Sequence, residues 1–165
     1  TAVLADCGVE SATMLGAYIG SVTHSKPVPL SGVATDPTYL DGTGLPPTDY
    51  EGPTGIIAVL NEACREAGIQ ATSIWAATPH YLAANANPMA MRALLRKAGQ
   101  IVGFAGDSEE LQALEADFIL QVDEAVAESD DLAEYVREIA ENDRSLDPDK
   151  SGELFDEIER FLKDV

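Results

Sequence analysis

Residues 51–88, EGPTGIIAVLNEACREAGIQATSIWAATPHYLAANANP, carry the reading that decides the fold. Thr54 is placed to cap a helix whose apolar stripe is Ile56, Ile57, Leu60 and Cys64, and Gly68 stops it. Residues 69–77 (IQATSIWAA) follow at once and hold no charge, which suits a strand covered on both faces. Helix, glycine and buried strand in succession make half of a parallel crossover unit. Next comes the polar run Thr78-Pro79-His80-Tyr81, and then Asn87-Pro88, a cap and first-position proline opening another helix. In an open parallel sheet, loops at the carboxyl ends of strands are where ligands gather. His80 and Tyr81 stand at that place.

Working outward, residues 1–7 read as a helix stopped by Gly8, residues 9–15 as a short strand, and residues 28–33 as another. Residues 35–51 are rich in Pro, Gly, Asp and Thr and read as a long loop with one helical turn near residues 36–40. Met91, Leu94, Leu95 and Ala98 repeat at helical spacing, and GFAGD at 103–107 breaks the chain. Beyond it only helices are expected. Their stripes are Leu111/Leu114/Phe118/Val122/Ala125, Leu132/Tyr135/Val136/Ile139 and Leu154/Ile158/Phe161/Leu162. The expected fold is α/β, with a mostly parallel sheet between helical layers over residues 1–105 and an acidic, all-helical appendage over 106–165. Three strands make a thin sheet, so further strands are expected upstream of Thr1.

The charge of −19 is unevenly spread. Residues 106–165 hold 21 acidic and 5 basic side chains, against 8 and 5 in the first 105. Such a tail repels phosphate backbones and anionic lipid, so no nucleic-acid or membrane partner is expected. No apolar run reaches the length of a membrane span. Cys7 and Cys64 read as small buried hydrophobes, and free thiols point to a reducing cytoplasm. Two histidines without a cysteine or aspartate cluster give no metal site, and no cofactor motif occurs. Asp147–Gly152 imitates the start of a calcium loop, but its twelfth position is Ile158 rather than glutamate, so Asp147 is better read as a helix cap.

Several runs are more specific: Val22-Thr23-His24-Ser25-Lys26-Pro27-Val28, Asp49–Ile56, Ser73–Tyr81, Asn87–Ala90, and Ser151–Leu154 before a final acidic helix. Together they resemble the proteasome assembly chaperone family in its actinobacterial form. The resemblance implies a three-layer α/β/α fold like that of nucleoside phosphorylases and a homo-oligomer. It also implies a protein-interaction role with other proteins as partners, proteasome subunits among them, and no established reaction. The residues leave a second class open. His80, Tyr81 and His24 are candidate catalytic groups, and Glu51, Gly52, Thr54 and Gly55 are candidate ligand-binding groups at a helix N-terminus. If the two loops converge, His24, His80, Glu51 and Thr54 line one crevice. The enzyme would then be a hydrolase or transferase on nucleoside-like substrates, or the ATP-dependent carboxylate–amine ligase that some family labels suggest.

Overall fold

The structure, a computed structural model, describes residues 2–48, 55–82 and 86–142. Helix α1 (Ala2–Asp6) ends at Gly8, whose φ of 68° lets the chain turn into the sheet. Strands β1 (Ser11–Gly20), β2 (Leu30–Ala34) and β3 (Gln70–Pro79) form one sheet in the order β1-β3-β2. β1 lies parallel to β3, from Ser11 opposite Gln70 to Gly20 opposite Pro79. β2 runs antiparallel to β3, with Leu30 opposite Ala76 and Ala34 opposite Thr72. The described sheet is therefore mixed, which corrects the expectation of a mostly parallel one. Only residues 21–29 join β1 to β2. A return to the same strand direction needs a crossover of about a dozen residues or more, so β2 comes back the other way and β3 later inserts between the two.

β1 is longer than the sequence suggests because Gly16 does not end it. A Cβ at Gly16 would stand 2.6 Å from two ring carbons of Trp75, its cross-strand neighbour. The glycine is there so that the indole can lie against the β1 backbone.

Helices α2 (Ile56–Glu66) and α3 (Pro88–Val102) pack on opposite faces of β3. Ile74 and Ala76 point one way, into a core with Ala90, Leu94 and Ala98 of α3 and with Leu45. Ala71 points the other way with Ile69 and Cys64, closed over by Leu4, Met14 and Leu60. On that same side Asn61 of α2 donates from Nδ2 to Ser73 Oγ at 2.8 Å. The alternation of β3 residues between the two cores is the period-two signature of a strand covered on both faces.

Three sequence expectations shift at this level. The N-cap of α2 is Gly55, which supplies no side-chain bond, so the cap assigned to Thr54 is replaced. Ile56, placed in the buried stripe, is 80 % exposed. Cys64 is buried but Cys7 is exposed, so only one of the two thiols packs as a hydrophobe. The α3 reading holds, with Asn87 Oδ1 accepting from Ala90 N at 3.0 Å and Gly103 in the left-handed region at the end. The buried face of α3 starts at Met89 and Ala90, whereas Met91 is half-exposed.

Two further helices follow, α4 (Glu109–Ala127), capped by Ser108, and α5 (Asp130–Asn142). Their stripes bury little: Val122 and Ile139 are buried, while Leu114 is exposed, as is Leu120 outside the stripe. Polar links contribute much of their attachment. Arg92 of α3 grips Asp107 with two nitrogens, at 2.8 and 2.9 Å, and Glu115 of α4 with a third. Lys26 reaches the Ala140 carbonyl at 3.3 Å. No helix among the described residues is long and apolar enough to cross a membrane. The stripe at 154–162 and the calcium-like segment at 147–152 lie outside the described residues.

Candidate functional site

β1 and β3 are parallel and end together, Gly20 opposite Pro79, so the segments that follow them leave the sheet side by side. The first carries His24. The second turns at once into a single 3-10 turn, His80–Leu82, with Leu82 buried beneath it. Convergence of the two loops, left as a condition by the sequence, is thus a consequence of strand register.

His24 is 4 % exposed, and both its ring nitrogens are engaged. Nε2 lies 3.0 Å from Oδ1 of Asp123 on α4. A carboxylate only accepts, so Nε2 carries the proton, and in the neutral ring Nδ1 is left as an acceptor. Nδ1 stands 2.7 Å from the Tyr81 hydroxyl, which donates to it. The same hydroxyl oxygen accepts the His24 backbone N–H at 3.0 Å. His80, exposed, places Nδ1 3.0 Å from the hydroxyl of Tyr135 on α5. The rings meet edge to face, His24 on Tyr81 at 5.8 Å, His80 on Tyr81 at 5.8 Å and His80 on Tyr135 at 4.8 Å between centroids.

This chain of groups, Asp123–His24–Tyr81 beside His80–Tyr135, has the members of a proton relay but is arranged to hold. Burial raises the Tyr81 hydroxyl above the ordinary phenol value, and the neighbouring Tyr135 and Asp123 push it the same way against the backbone N–H of His24. Burial likewise raises Tyr135, helped by Glu138. Neither phenol is therefore activated as a base or nucleophile, which would need a lowered value. The Tyr81 hydroxyl is already shared between two atoms of His24. Where the two loops meet, His24, Tyr81, His80 and Tyr135 are engaged with one another.

Of the expected site residues, His24, His80 and Tyr81 come together. Glu51, Gly52 and Thr54 lie outside the described residues. Gly55 is the N-cap of α2, its carbonyl accepting from Ala58 N at 3.1 Å and Val59 N at 3.3 Å. Asp123 and Tyr135 were not foreseen. They sit 99 and 55 residues from their partners, and in the sequence one reads as a solvated acid and the other as a stripe residue. Next to Leu82 lies an apolar groove of about 620 Å³, between Leu15, Ala17 and Ile19 of β1 and Ala90, Met91 and Leu94 of α3.

Residues 1–126 match the model of the PAC2 family. No curated protein sequence matches. Among solved structures, a proteasome-assembly chaperone homologue from Mycobacterium tuberculosis is 39% identical with a TM-score of 0.72, covering 82% of this chain and 57% of its own. A PAC2 family protein from Streptomyces avermitilis is 40% identical, with the same TM-score and coverage. An archaeal homologue of proteasome-assembly chaperone from Pyrococcus furiosus is similar in fold alone, at 16% identity and a TM-score of 0.59 over 72% of this chain and 52% of that one. This chain spans little more than half the length of these solved relatives. Matched over 126 of its 165 residues and two-fifths identical to actinobacterial relatives, the chain belongs to the PAC2 family.

Proposed function

We propose that the protein is an interaction factor that promotes assembly of other proteins, rather than an enzyme. The observation that carries this reading is that the candidate catalytic groups satisfy one another: His24 is bonded to Tyr81 and Asp123, and His80 to Tyr135. Family membership supports it, since the solved relative at 39% identity is described as a proteasome-assembly chaperone homologue. So do Leu114 and Leu120 of α4, 45% and 61% exposed among acidic side chains. Exposed leucines in a charged surround suit a docking face.

On this reading the partners are proteasome subunits of the same host, the protein acts in the cytoplasm as a homo-oligomer, and residues 106–165 serve as an acidic helical appendage to the α/β part. The full fold is a three-layer sandwich with a wider sheet. The support for that width is β1, a ten-residue edge strand without a charge or proline to protect it, with Leu15 and Ile19 bare on one face. The enzyme alternative, including the nucleoside-directed and ligase forms, has no supporting observation.

Native mass spectrometry of the purified protein mixed with proteasome subunits from its host tests the proposal. A defined complex that Leu120→Lys abolishes is expected. Subunits left entirely unbound by the unaltered protein would overturn it.

A further inference from the structure

A second cavity, of about 290 Å³, opens between α3, the entry to β2 and Glu115 of α4. One wall is apolar, from Val28, Leu30 and Met89, and the polar part of the lining, its rim, is Arg92, Arg96, Lys97, Gln100 and Glu115. In a chain of charge −19 a positive rim is not a by-product of composition. We infer that this cavity is a binding site for a small carboxylic acid with a short apolar body.

Three features of the rim lead there. Two of its three cations are held in place before any ligand arrives. Lys97 Nζ is anchored to the Thr43 carbonyl at 2.8 Å, and Arg92 beneath is fixed by Asp107 and Glu115. An anchored cation binds an anion without the entropy cost of ordering a long side chain. Arg96 keeps capacity in reserve. Its Nε is 3.7 Å from Asp107, longer than a hydrogen bond, and its side chain is 55% exposed. Gln100, one turn further on, makes no hydrogen bond among the described residues and offers a planar amide.

Charge then selects the ligand. The cations Arg92, Arg96 and Lys97 stand against the carboxylates Asp107 and Glu115, which leaves one net positive charge. A monoanion balances it, whereas a phosphate dianion would leave an excess beside two carboxylates. Guanidinium and amide donors match the planar carboxylate. The apolar wall has to be met by hydrocarbon, which separates this site from one for an inorganic anion. The volume lies at the bottom of the range for small-molecule sites, about 300–1,000 Å³, so the acid is small. This site is independent of the assembly reading and would stand if that reading failed.

The test is an amide-resolved NMR titration of the protein with sodium hexanoate, 1-hexanol and inorganic phosphate in parallel. Hexanoate is expected to give saturable shifts at residues 28–30 and 89–100, with neither hexanol nor phosphate doing so at the same concentration. Arg96→Gln, at a half-exposed position that the fold tolerates, is expected to weaken hexanoate by about tenfold, the loss of one charge-assisted contact. Equal response to hexanol, equal response to phosphate, absence of hexanoate shifts in this region, or undiminished affinity in Arg96→Gln would each overturn the assignment.

Discussion

Tyr81 is the residue on which the candidate site turns. Its hydroxyl donates a hydrogen bond to His24 Nδ1 and accepts one from the His24 backbone N–H, so a single oxygen fixes both the ring and the loop that carries it. Tyr81→Phe keeps the ring contacts and removes that oxygen, leaving a buried imidazole nitrogen and a backbone N–H without partners. Leaving buried polar groups unmet costs about 1–3 kcal/mol, and urea unfolding of the variant is expected to show a loss of that size. A loss no larger than for a surface substitution would mean that the oxygen is dispensable. None of this was visible in the sequence beyond the types of residue. His24, Tyr81 and His80 could be named because they follow predicted strand ends. Asp123 could not, because among 21 acids in the last 60 residues nothing marks the one that reaches an imidazole.

At the scale of elements, helix α3 was legible from end to end, because Asn87, Pro88 and Gly103 mark its limits by local chemistry alone. β3 was legible because an uncharged run after a helix has few other interpretations. β1 was cut short at Gly16, since the need for glycine under Trp75 arises only once the two strands are paired. Strand direction was misjudged for the same reason: β2 takes its direction from the length of residues 21–29 and from an insertion that comes forty residues later. The junction between α3 and α4 was likewise hidden, yet it carries a definite pH signature. The Arg92 guanidinium holds the Asp107 carboxyl down at about 2, from an ordinary 3.8. A lowered carboxyl stabilises the fold in its ionised form. Its contribution is complete above the ordinary value and is lost as pH falls through the lowered one. The stability gap between the protein and Asp107→Asn is therefore expected to be constant near neutrality and to shrink as pH drops from about 4 toward 2. Denaturant titrations across that range check it, and a gap that does not change with pH would show that Asp107 contributes through its neutral hydrogen bonds instead.

For the whole molecule, the two parts differ in what holds them. The α/β part has two apolar cores on β3, whereas α4 and α5 bury few large side chains and are tied on through Arg92, Lys26, His24 and His80. Segments held by few apolar contacts open locally at lower cost than core strands. The His24–Tyr81–His80 cluster is among the links that join these two helices to the body, and on the proposed reading a helical docking face needs that fastening. Hydrogen–deuterium exchange on the Asp123→Ala/Tyr135→Phe double variant tests this most directly, because it cuts the cluster's link to α4 and to α5 while leaving both cores intact. Amides of α4 and α5 are expected to exchange about tenfold faster, the effect of losing roughly one net hydrogen bond's worth of local stability, while those of β3 keep their protection. Unchanged exchange in α4 and α5 would contradict the account and return the cluster to the standing of a site built for something other than fastening.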